Sequence, residues 1–361
     1  MTERRVLQVL GRSAGGIARH VAQITEALDG DGFRIDVVAP PDLPIEMPKR
    51  TTPVVIPNGP IVGHRAAIAK LRQMTSGYDV VHAHGLRAGI DAAVAARGGP
   101  PVLLTVHNLV QPEIAGPTRA LFYRRAEALA VRLCDHTFAV SEQVATHLRR
   151  LRVAEGKIEI LYLGVGAAPP ILKSRAEVRA ELGVAEGEPL IVTASRLSRQ
   201  KALPVMLQAV GHLEKAVLAV LGTGPLEESL RERARLDGIG DRVRWLGFRD
   251  DLADYLAAAN AFCLSSVWEG VPLSAQEAIL LRTPVVATSV GGMPELLEDG
   301  VSGRLVPPGD PRALAAALED VLFDPARARA FADEALARLR ERFSTERMLA
   351  RLRSAYEGAR A

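Results

Sequence analysis

The sequence has little cysteine: two residues in 361, Cys134 and Cys263, each inside an apolar run. Two isolated thiols build neither a disulfide framework nor a four-ligand zinc site, so a reducing compartment is expected. Long apolar runs are missing too. After Met-Thr-Glu-Arg-Arg only Val6–Leu10 precedes Gly11, a stretch too short for a signal peptide. The charge-free segment Ile160–Leu172 has 13 residues and contains Pro169-Pro170, against the ~20 apolar residues a membrane span needs. The three-glycine dinucleotide fingerprint does not follow the opening strand, and there is no phosphate loop ending in Gly-Lys-Ser/Thr. These absences speak against an NAD-dependent oxidoreductase and an NTPase. No short repeat or low-complexity tract occurs.

What remains is an ordinary globular composition, 48% hydrophobic and 24% charged, at a length that suits two domains on a prior of about 150 residues each. The formal net charge of +3 hides an asymmetry. Residues 1–165 carry 20 Lys and Arg against 15 Asp and Glu, and residues 166–361 carry 25 against 27. A basic first half suits an anionic acceptor, a membrane surface or nucleic acid, or simply solvated arginine-rich helix faces.

Short β-rich runs alternate with helical patterns, the signature of a parallel sheet wrapped by helices. Strands are expected at Val6–Leu10, Arg34–Ala39, Asp79–His82, Val102–Thr105, Thr137–Val140 and Ile158–Leu161, with helices such as Ile17–Leu28, Ala66–Met74 and Arg119–Leu133 between them. Gly164–Pro170 then reads as a linker. The alternation restarts at Leu190–Ala194, Ala216–Leu221, Val243–Leu246, Ala261–Leu264 and Pro284–Thr288, with Gly303–Val306 a weaker last strand. Asp324-Pro325 caps a helix to about Arg342, and Ser344 or Thr345 opens another to about Gly358. The expectation is therefore α/β: two tandem doubly wound domains facing across a cleft, residues 1–165 and 166–343, with 344–361 packing back towards the first. Ligands of such folds bind beyond the carboxyl ends of the strands.

The loops at those ends carry the chemistry. Gly15-Gly16 lets the backbone turn tightly at a helix N-terminus, which favours negative charge; a plain tight turn explains the pair equally well. Arg196 and Lys201 follow a strand and can reach a phosphate, or can be solvated surface cations. In Ser265-Ser-Val-Trp-Glu-Gly-Val-Pro-Leu-Ser-Ala-Gln-Glu-Ala278, Glu269 ends a loop and Glu277 lies on the next helix, with seven residues between. A carboxylate grips two sugar hydroxyls at once, and the free amides of Leu273 to Ala275 can hold phosphate or sugar oxygens. A solvated glutamate pair is the bland alternative.

Taken together and in order, Gly15-Gly16, His82-Ala-His84, Thr105-Val-His107, Ser195-Arg196 with Lys201, Leu221-Gly-Thr-Gly-Pro225, Trp245-Leu-Gly-Phe248, the Glu269/Glu277 pair and Pro284-Val-Val-Ala-Thr-Ser-Val-Gly-Gly292 resemble the retaining GT-B glycosyltransferases of the family 4, group 1 type. The resemblance spans nearly the whole chain and is strongest over residues 190–310. It implies transfer of a sugar, with retention, from a UDP- or GDP-sugar to a glycan, lipid-linked or small-molecule acceptor. It further implies that Gly15 and Gly16 lie against the donor diphosphate and that Arg196 and Lys201 bind it. Glu269 would contact the transferred sugar and Glu277 the ribose. Gly270, Val271, Pro272, Leu273 and Ser274 would shape and line the sugar and phosphate site, and the segment at Arg249 would run beside the base, chiefly through its backbone. His107 would sit beside the reacting carbon, unless it is a packed strand-end histidine; packing is also the simpler reading of His82 and His84.

Two departures from the family pattern stand out. Leu163-Gly-Val-Gly166 lacks the usual polar Asn and Asp, and Ala202 stands where glycine usually follows the lysine. The one Asp-x-Asp triplet, Asp29-Gly-Asp31, lies in a turn at the amino end of a strand, the wrong edge for a metal-bound diphosphate. No metal or cofactor is expected. A nucleotide-sugar 2-epimerase and a non-catalytic sugar-nucleotide or glycan-binding module are the rival readings. The expected location is cytoplasmic, with the inner membrane face as a second option: the helix Arg119–Leu133 sets Arg119, Arg124, Arg125 and Arg132 beside Leu121, Phe122, Tyr123 and Leu129, and the next ends His147-Leu-Arg-Arg-Leu-Arg152. Nucleic acid is not an expected partner.

Overall fold

The computed structural model describes residues 3–12, 16–43, 45–57, 62–107, 117–151 and 155–359, without the side chains of 117–123 and 155. The chain divides into two compact units, Met1–Gly164 with Ser344–Ala361, and Val165–Phe343.

The first unit runs β1 (Arg4–Leu10), α1 (Gly16–Leu28), β2 (Phe33–Ala39), β3 (Thr51–Pro53), α2 (His64–Thr75), β4 (Val80–His84), α3 (Leu86–Ala95), β5 (Val102–Val106), α4 (Pro117–Leu133), β6 (His136–Ala139), α5 (Glu142–Arg149) and β7 (Ile158–Ile160). Its strands pair in parallel in the order β3-β2-β1-β4-β5-β6-β7. Val6–Leu10 and the whole of β4 and β5 are buried, as expected of strands covered on both faces. In α1 the buried positions Ala18, His20, Val21, Ile24, Thr25 and Leu28 recur every three or four residues, the stripe of a helix packed on a sheet. The sequence reading missed β3, a three-residue edge strand ending in proline, because it is too short to show alternation.

The second unit runs α6 (Arg175–Leu182), β8 (Leu190–Ala194), α7 (Leu203–His212), β9 (Val217–Leu221), α8 (Glu227–Leu236), β10 (Val243–Gly247), α9 (Leu252–Ala258), β11 (Ala261–Leu264), α10 (Leu273–Leu280), β12 (Val285–Thr288), α11 (Met293–Leu296), β13 (Arg304–Val306), α12 (Pro311–Leu322) and α13 (Pro325–Arg342). Its sheet order is β10-β9-β8-β11-β12-β13. Ile191, Leu207, Val210, Leu218, Val220, Cys263 and Val286 share one core with Leu314 and Leu318 of α12. Asp310 and Asp324 cap α12 and α13, each followed by proline, a residue whose missing N–H costs nothing at that position.

The chain then returns to the first unit as α14 (Thr345–Gly358). Ser344 caps it, and Met348, Leu352 and Tyr356 join Val6, Ile24, Phe33 and Phe138 in one core. Burying Met348 and Leu352 contributes roughly 1.5–3 kcal/mol each. Glycine at 164 is required sterically, since a Cβ there would lie 2.5 Å from Thr345 Cα at the start of this helix.

Candidate functional site

In the second unit the strand order reverses between the neighbours β8 and β11, the point at which loops leaving a doubly wound sheet part to leave a crevice. Both sequence-derived clusters flank it. Residues 195–202 follow β8, and residues 265–272 follow β11 and lead into α10.

The two loops are tied together. Lys201 Nζ donates to Glu269 Oε1 at 2.6 Å, with the side chains 17% and 5% exposed. The Ser266 hydroxyl donates to the same oxygen. Gln200 Nε2 donates to the Trp268 carbonyl at 2.9 Å, Val267 N to the Gln200 carbonyl at 2.9 Å, and Ser265 Oγ to the Lys201 carbonyl at 2.9 Å. A carboxylate as buried as Glu269 is tolerable only with such compensation. Arg196 is exposed and has no ion-pair partner among the described residues, so its full charge is available to an anion.

Gly270, Val271 and Pro272 are buried, and Pro272 caps α10. Leu273 and Ser274, both half-buried, occupy its first turn, and Glu277 lies three residues after Ser274 on the same face. The outward amides of a helix start and a carboxylate one turn along thus share one surface. Arg249 is placed differently from a free cation. Its guanidinium is held by Asp251 at 2.6 and 2.8 Å and lies over the Tyr255 ring, and this pairing holds the Asp251 carboxyl down at about 2. The Arg249 guanidinium is thus engaged within its own unit.

Four glycines brace these loops, and the sequence reading quoted their motifs without assigning them site positions. A Cβ on Gly222 (φ +124°) would lie 2.0 Å from the Ser195 carbonyl oxygen, and one on Gly224 2.3 Å from that of Leu197. A Cβ on Gly291 (φ +61°) would lie 1.8 Å from the Glu269 carbonyl oxygen, and one on Gly292 2.6 Å from that of Gly270. The pairs G-T-G and G-G after strands were the available signal. Ala202 takes left-handed dihedrals, φ 45° and ψ 40°, the conformation that makes glycine the ordinary occupant of the position.

In the first unit the strand order reverses between β1 and β4. Gly16 starts α1 and is exposed; Gly15 lies outside the described residues. His107 follows β5 and is 5% exposed. A buried chain of hydrogen bonds leads to it: Gln8 Nε2 donates to Tyr356 Oη (2.9 Å), Tyr356 Oη meets His82 Nδ1 (2.7 Å), and His82 Nε2 meets Thr105 Oγ1 (2.8 Å). On the other side Gln8 Oε1 accepts from His84 Nε2 (2.6 Å), and His84 Nδ1 meets His107 Nε2 (3.2 Å). His82 is therefore a packed strand histidine. Burial pushes the His82 ring down to about 3 and that of His20 on α1 to about 4, and holds His84 and His107 well below the usual imidazole range. All four rings are neutral at pH 7.

Asp29 and Asp31 occupy the turn between α1 and β2, where Asp29 pairs with Arg50 and accepts from Ile35 N, and Asp31 pairs with Arg353. On α4, Arg124, Arg125 and Arg132 are exposed together with Leu129 (47%) and Leu133 (42%). The side chains of Arg119, Leu121, Phe122 and Tyr123, and all of Arg152, lie outside the described residues. Arg149 and Arg150 are exposed, Arg149 reaching Glu142 at 3.6 Å. Among the described residues no helix is long and apolar enough to cross a membrane.

Comparison with known proteins gives two family matches, "Glycosyltransferase Family 4" over residues 14–168 and "Glycosyl transferases group 1" over residues 174–338. A D-inositol 3-phosphate glycosyltransferase of Catenulispora acidiphila is 30% identical over 97% of this chain and 93% of its own. A 2-deoxystreptamine N-acetyl-D-glucosaminyltransferase of Streptomyces fradiae is 30% identical over 84% of this chain and 76% of its own. Among solved structures, Anabaena HepE in complex with UDP-glucose superposes with a TM-score of 0.84 at 21% identity, covering 98% of this chain and 99% of that one. The sucrose-phosphate synthase of Thermosynechococcus elongatus superposes at 0.81 with 25% identity, covering 98% of each.

Proposed function

Because the chain belongs to the group 1 glycosyl transferases of family 4 and has the two-domain GT-B fold, we propose that this nucleotide-sugar glycosyltransferase works with retention, on a UDP- or GDP-sugar and without a metal ion. The observation that carries the donor site is the convergence of a free guanidinium, a lysine–glutamate pair and a helix start at one switch point. Arg196 and Lys201 stabilise the departing diphosphate, where the transition state develops most charge. Glu269 takes hydroxyls of the transferred sugar and Glu277 those of the ribose, while Gly270 to Ser274 supply close backbone and amide donors. A UDP-sugar is favoured by the UDP-glucose bound in HepE.

Lys201 is engaged by Glu269 in the structure, so donor binding must let one ammonium serve both a sugar-gripping carboxylate and a phosphate. That coupling ties sugar recognition to leaving-group stabilisation. His107, neutral and buried, presents an uncharged polar edge to a reacting carbon that is gaining positive charge, which an imidazolium would oppose. No carboxylate other than the sugar-gripping Glu269 is assigned to the reacting carbon, so departure and attack on one face is the proposed course. The acceptor is proposed to be a small polyhydroxylated ring, in keeping with relatives named for inositol 3-phosphate and 2-deoxystreptamine.

The test is transfer assayed over a panel of UDP-, GDP- and ADP-sugars in the presence of EDTA, with the anomeric configuration of the product read by NMR. An inverted product, or turnover that needs manganese or magnesium, would overturn the proposal. Product formed from the donor alone would favour a 2-epimerase.

A further inference from the structure

The proposed function leaves the buried hydrogen-bond chain behind His107 without a role. Gln8 lies opposite His82 in the register of β1 and β4, and His84, two residues further along β4, shares the face of His82. Tyr356 of α14 reaches them there. Gln8, His82, Thr105 and Tyr356 are wholly buried, and His84 and His107 are nearly so. His20 stands edge-on to His84 and His107, with neither of its nitrogens bonded to another described residue, so it packs the two rings without competing for their protons.

Each neutral ring has one N–H and one lone pair, so the protons along the chain take a common direction. Burial holds the Tyr356 phenol well above its ordinary range, and the hydroxyl keeps its proton. It accepts from Gln8 Nε2 at 2.9 Å and donates to His82 Nδ1 at 2.7 Å, which leaves His82 Nε2 to donate to Thr105 Oγ1 at 2.8 Å. With its amide nitrogen engaged, Gln8 turns its carbonyl oxygen to His84, which donates from Nε2 at 2.6 Å. His84 Nδ1 is then a lone pair and accepts from His107 Nε2 at 3.2 Å. The reverse direction would make the phenol oxygen, a weak acceptor conjugated with its ring, take a proton from His82. It would also press two nitrogens together at the 2.6 Å contact of Gln8 and His84, where an oxygen acceptor fits better.

We infer that Tyr356 and Gln8 are positioning residues for the transfer reaction: acting through His84, they hold His107 as the tautomer with its proton on Nε2 and its lone pair on Nδ1. The inference rests on the placement of His107 beside the reacting carbon proposed above. A lone pair favours a centre gaining positive charge, whereas a proton on Nδ1 would oppose it. The returning helix α14 thereby has a use for a buried tyrosine hydroxyl that phenylalanine would not supply.

The test uses the full-length protein isotopically labelled at the ring nitrogens of its eight histidines, whose NMR signals report protonation directly; His107→Gln assigns the signal. Native His107 should show one tautomer, protonated at Nε2. Tyr356→Phe and Gln8→Leu should give a mixture of tautomers. In both, kcat for UDP release from the UDP-sugar turned over in the panel assay should fall about threefold to tenfold, the worth of one lost neutral hydrogen bond, with KM little changed. Leu352→Val, a packing change on the same helix, should lower the unfolding midpoint while leaving tautomer and kcat as in the native protein. Native His107 protonated at Nδ1, or divided between tautomers, would overturn the inference. So would variants whose tautomer or turnover stays native while His107→Gln abolishes turnover, in which case the placement of His107 stands without the relay. If His107→Gln itself leaves turnover intact, that placement fails and the inference falls with it.

Discussion

The Lys201–Glu269 pair supports a quantitative prediction. The perturbation is Lys201→Met, which keeps the aliphatic bulk and removes the charge. Glu269 would then be a carboxylate only 5% exposed, left, among the described residues, with the Ser266 hydroxyl as its remaining side-chain donor. Breaking a buried pair from one side costs about 3–5 kcal/mol. For a unit of 150–250 residues each kcal/mol moves the midpoint by about 2–4 °C, so unfolding of the Val165–Phe343 unit should come roughly 6–20 °C earlier. Replacing both partners, Lys201→Met with Glu269→Gln, removes the stranded charge while an amide oxygen still accepts from Ser266. Most of the loss should therefore be recovered, with a coupling energy of about 2 kcal/mol or more. The assay is differential scanning calorimetry and urea unfolding of the four proteins of the cycle. If Lys201→Met costs under about 1 kcal/mol and the double variant is additive, the pair is a screened surface contact and the argued link between sugar and diphosphate recognition fails.

Arg196→Ala should weaken UDP binding about tenfold to a hundredfold, the worth of a charged hydrogen bond; unchanged calorimetric affinity for UDP, GDP and ADP would remove it from the donor site. Ala202→Gly should stabilise the protein by about 0.5–1 kcal/mol, the left-handed penalty less the chain entropy of glycine, and a lower urea midpoint would contradict the assigned backbone strain. Glu159 is held down at about 2, against 4.5 unperturbed: burial opposes ionisation but is outweighed by the His136 ring 3.2 Å away and by hydrogen bonds from Arg351. A depressed carboxyl stabilises above its unfolded pKa, so on the order of 2 kcal/mol in the first unit should fade as pH falls from about 4.5 towards 2, and Arg351→Ala should flatten that slope in acid unfolding. Anionic vesicles should sediment the protein at low salt through the α4 and α5 arginines at about 1 kcal/mol each, and Arg124→Glu with Arg125→Glu, Arg149→Glu and Arg150→Glu should release it; native protein that stays in the supernatant would rule out docking of this face.

The fold was legible because parallel strands buried on both faces announce themselves as short Val/Ile/Leu runs, and proline after aspartate marks a helix start at 324–325; the like pair Asp310-Pro311, which opens α12, was passed over. The edge strand Thr51–Pro53 was not legible, having neither length nor alternation. At the site, the position of Glu269 could be read from its place after a strand, but its partner could not. Nothing in the spacing of residues 201 and 269 says that these side chains meet at 2.6 Å; that follows from β8 and β11 being neighbours, a property of strand order. For the same reason His82-Ala-His84 reads from sequence as two packed histidines. Only the parallel pairing of β1, β4 and β5 puts His84 against Gln8 on one side and His107 on the other.

Strand order also explains why the two switch points differ so sharply in charge. At the second, a solvated arginine, a lysine and a helix start offer donors to an anion, and the one buried carboxylate is neutralised by its neighbour. At the first, every polar group just described is a neutral imidazole, amide or hydroxyl, buried enough that protonation is strongly opposed. A diphosphate placed among those rings would find weak neutral donors and pay desolvation without a cation in return. A neutral hydroxyl would pay far less there. The two units carry the same topology at their reversal points, and residue choice alone separates a cation-bearing end from an uncharged one.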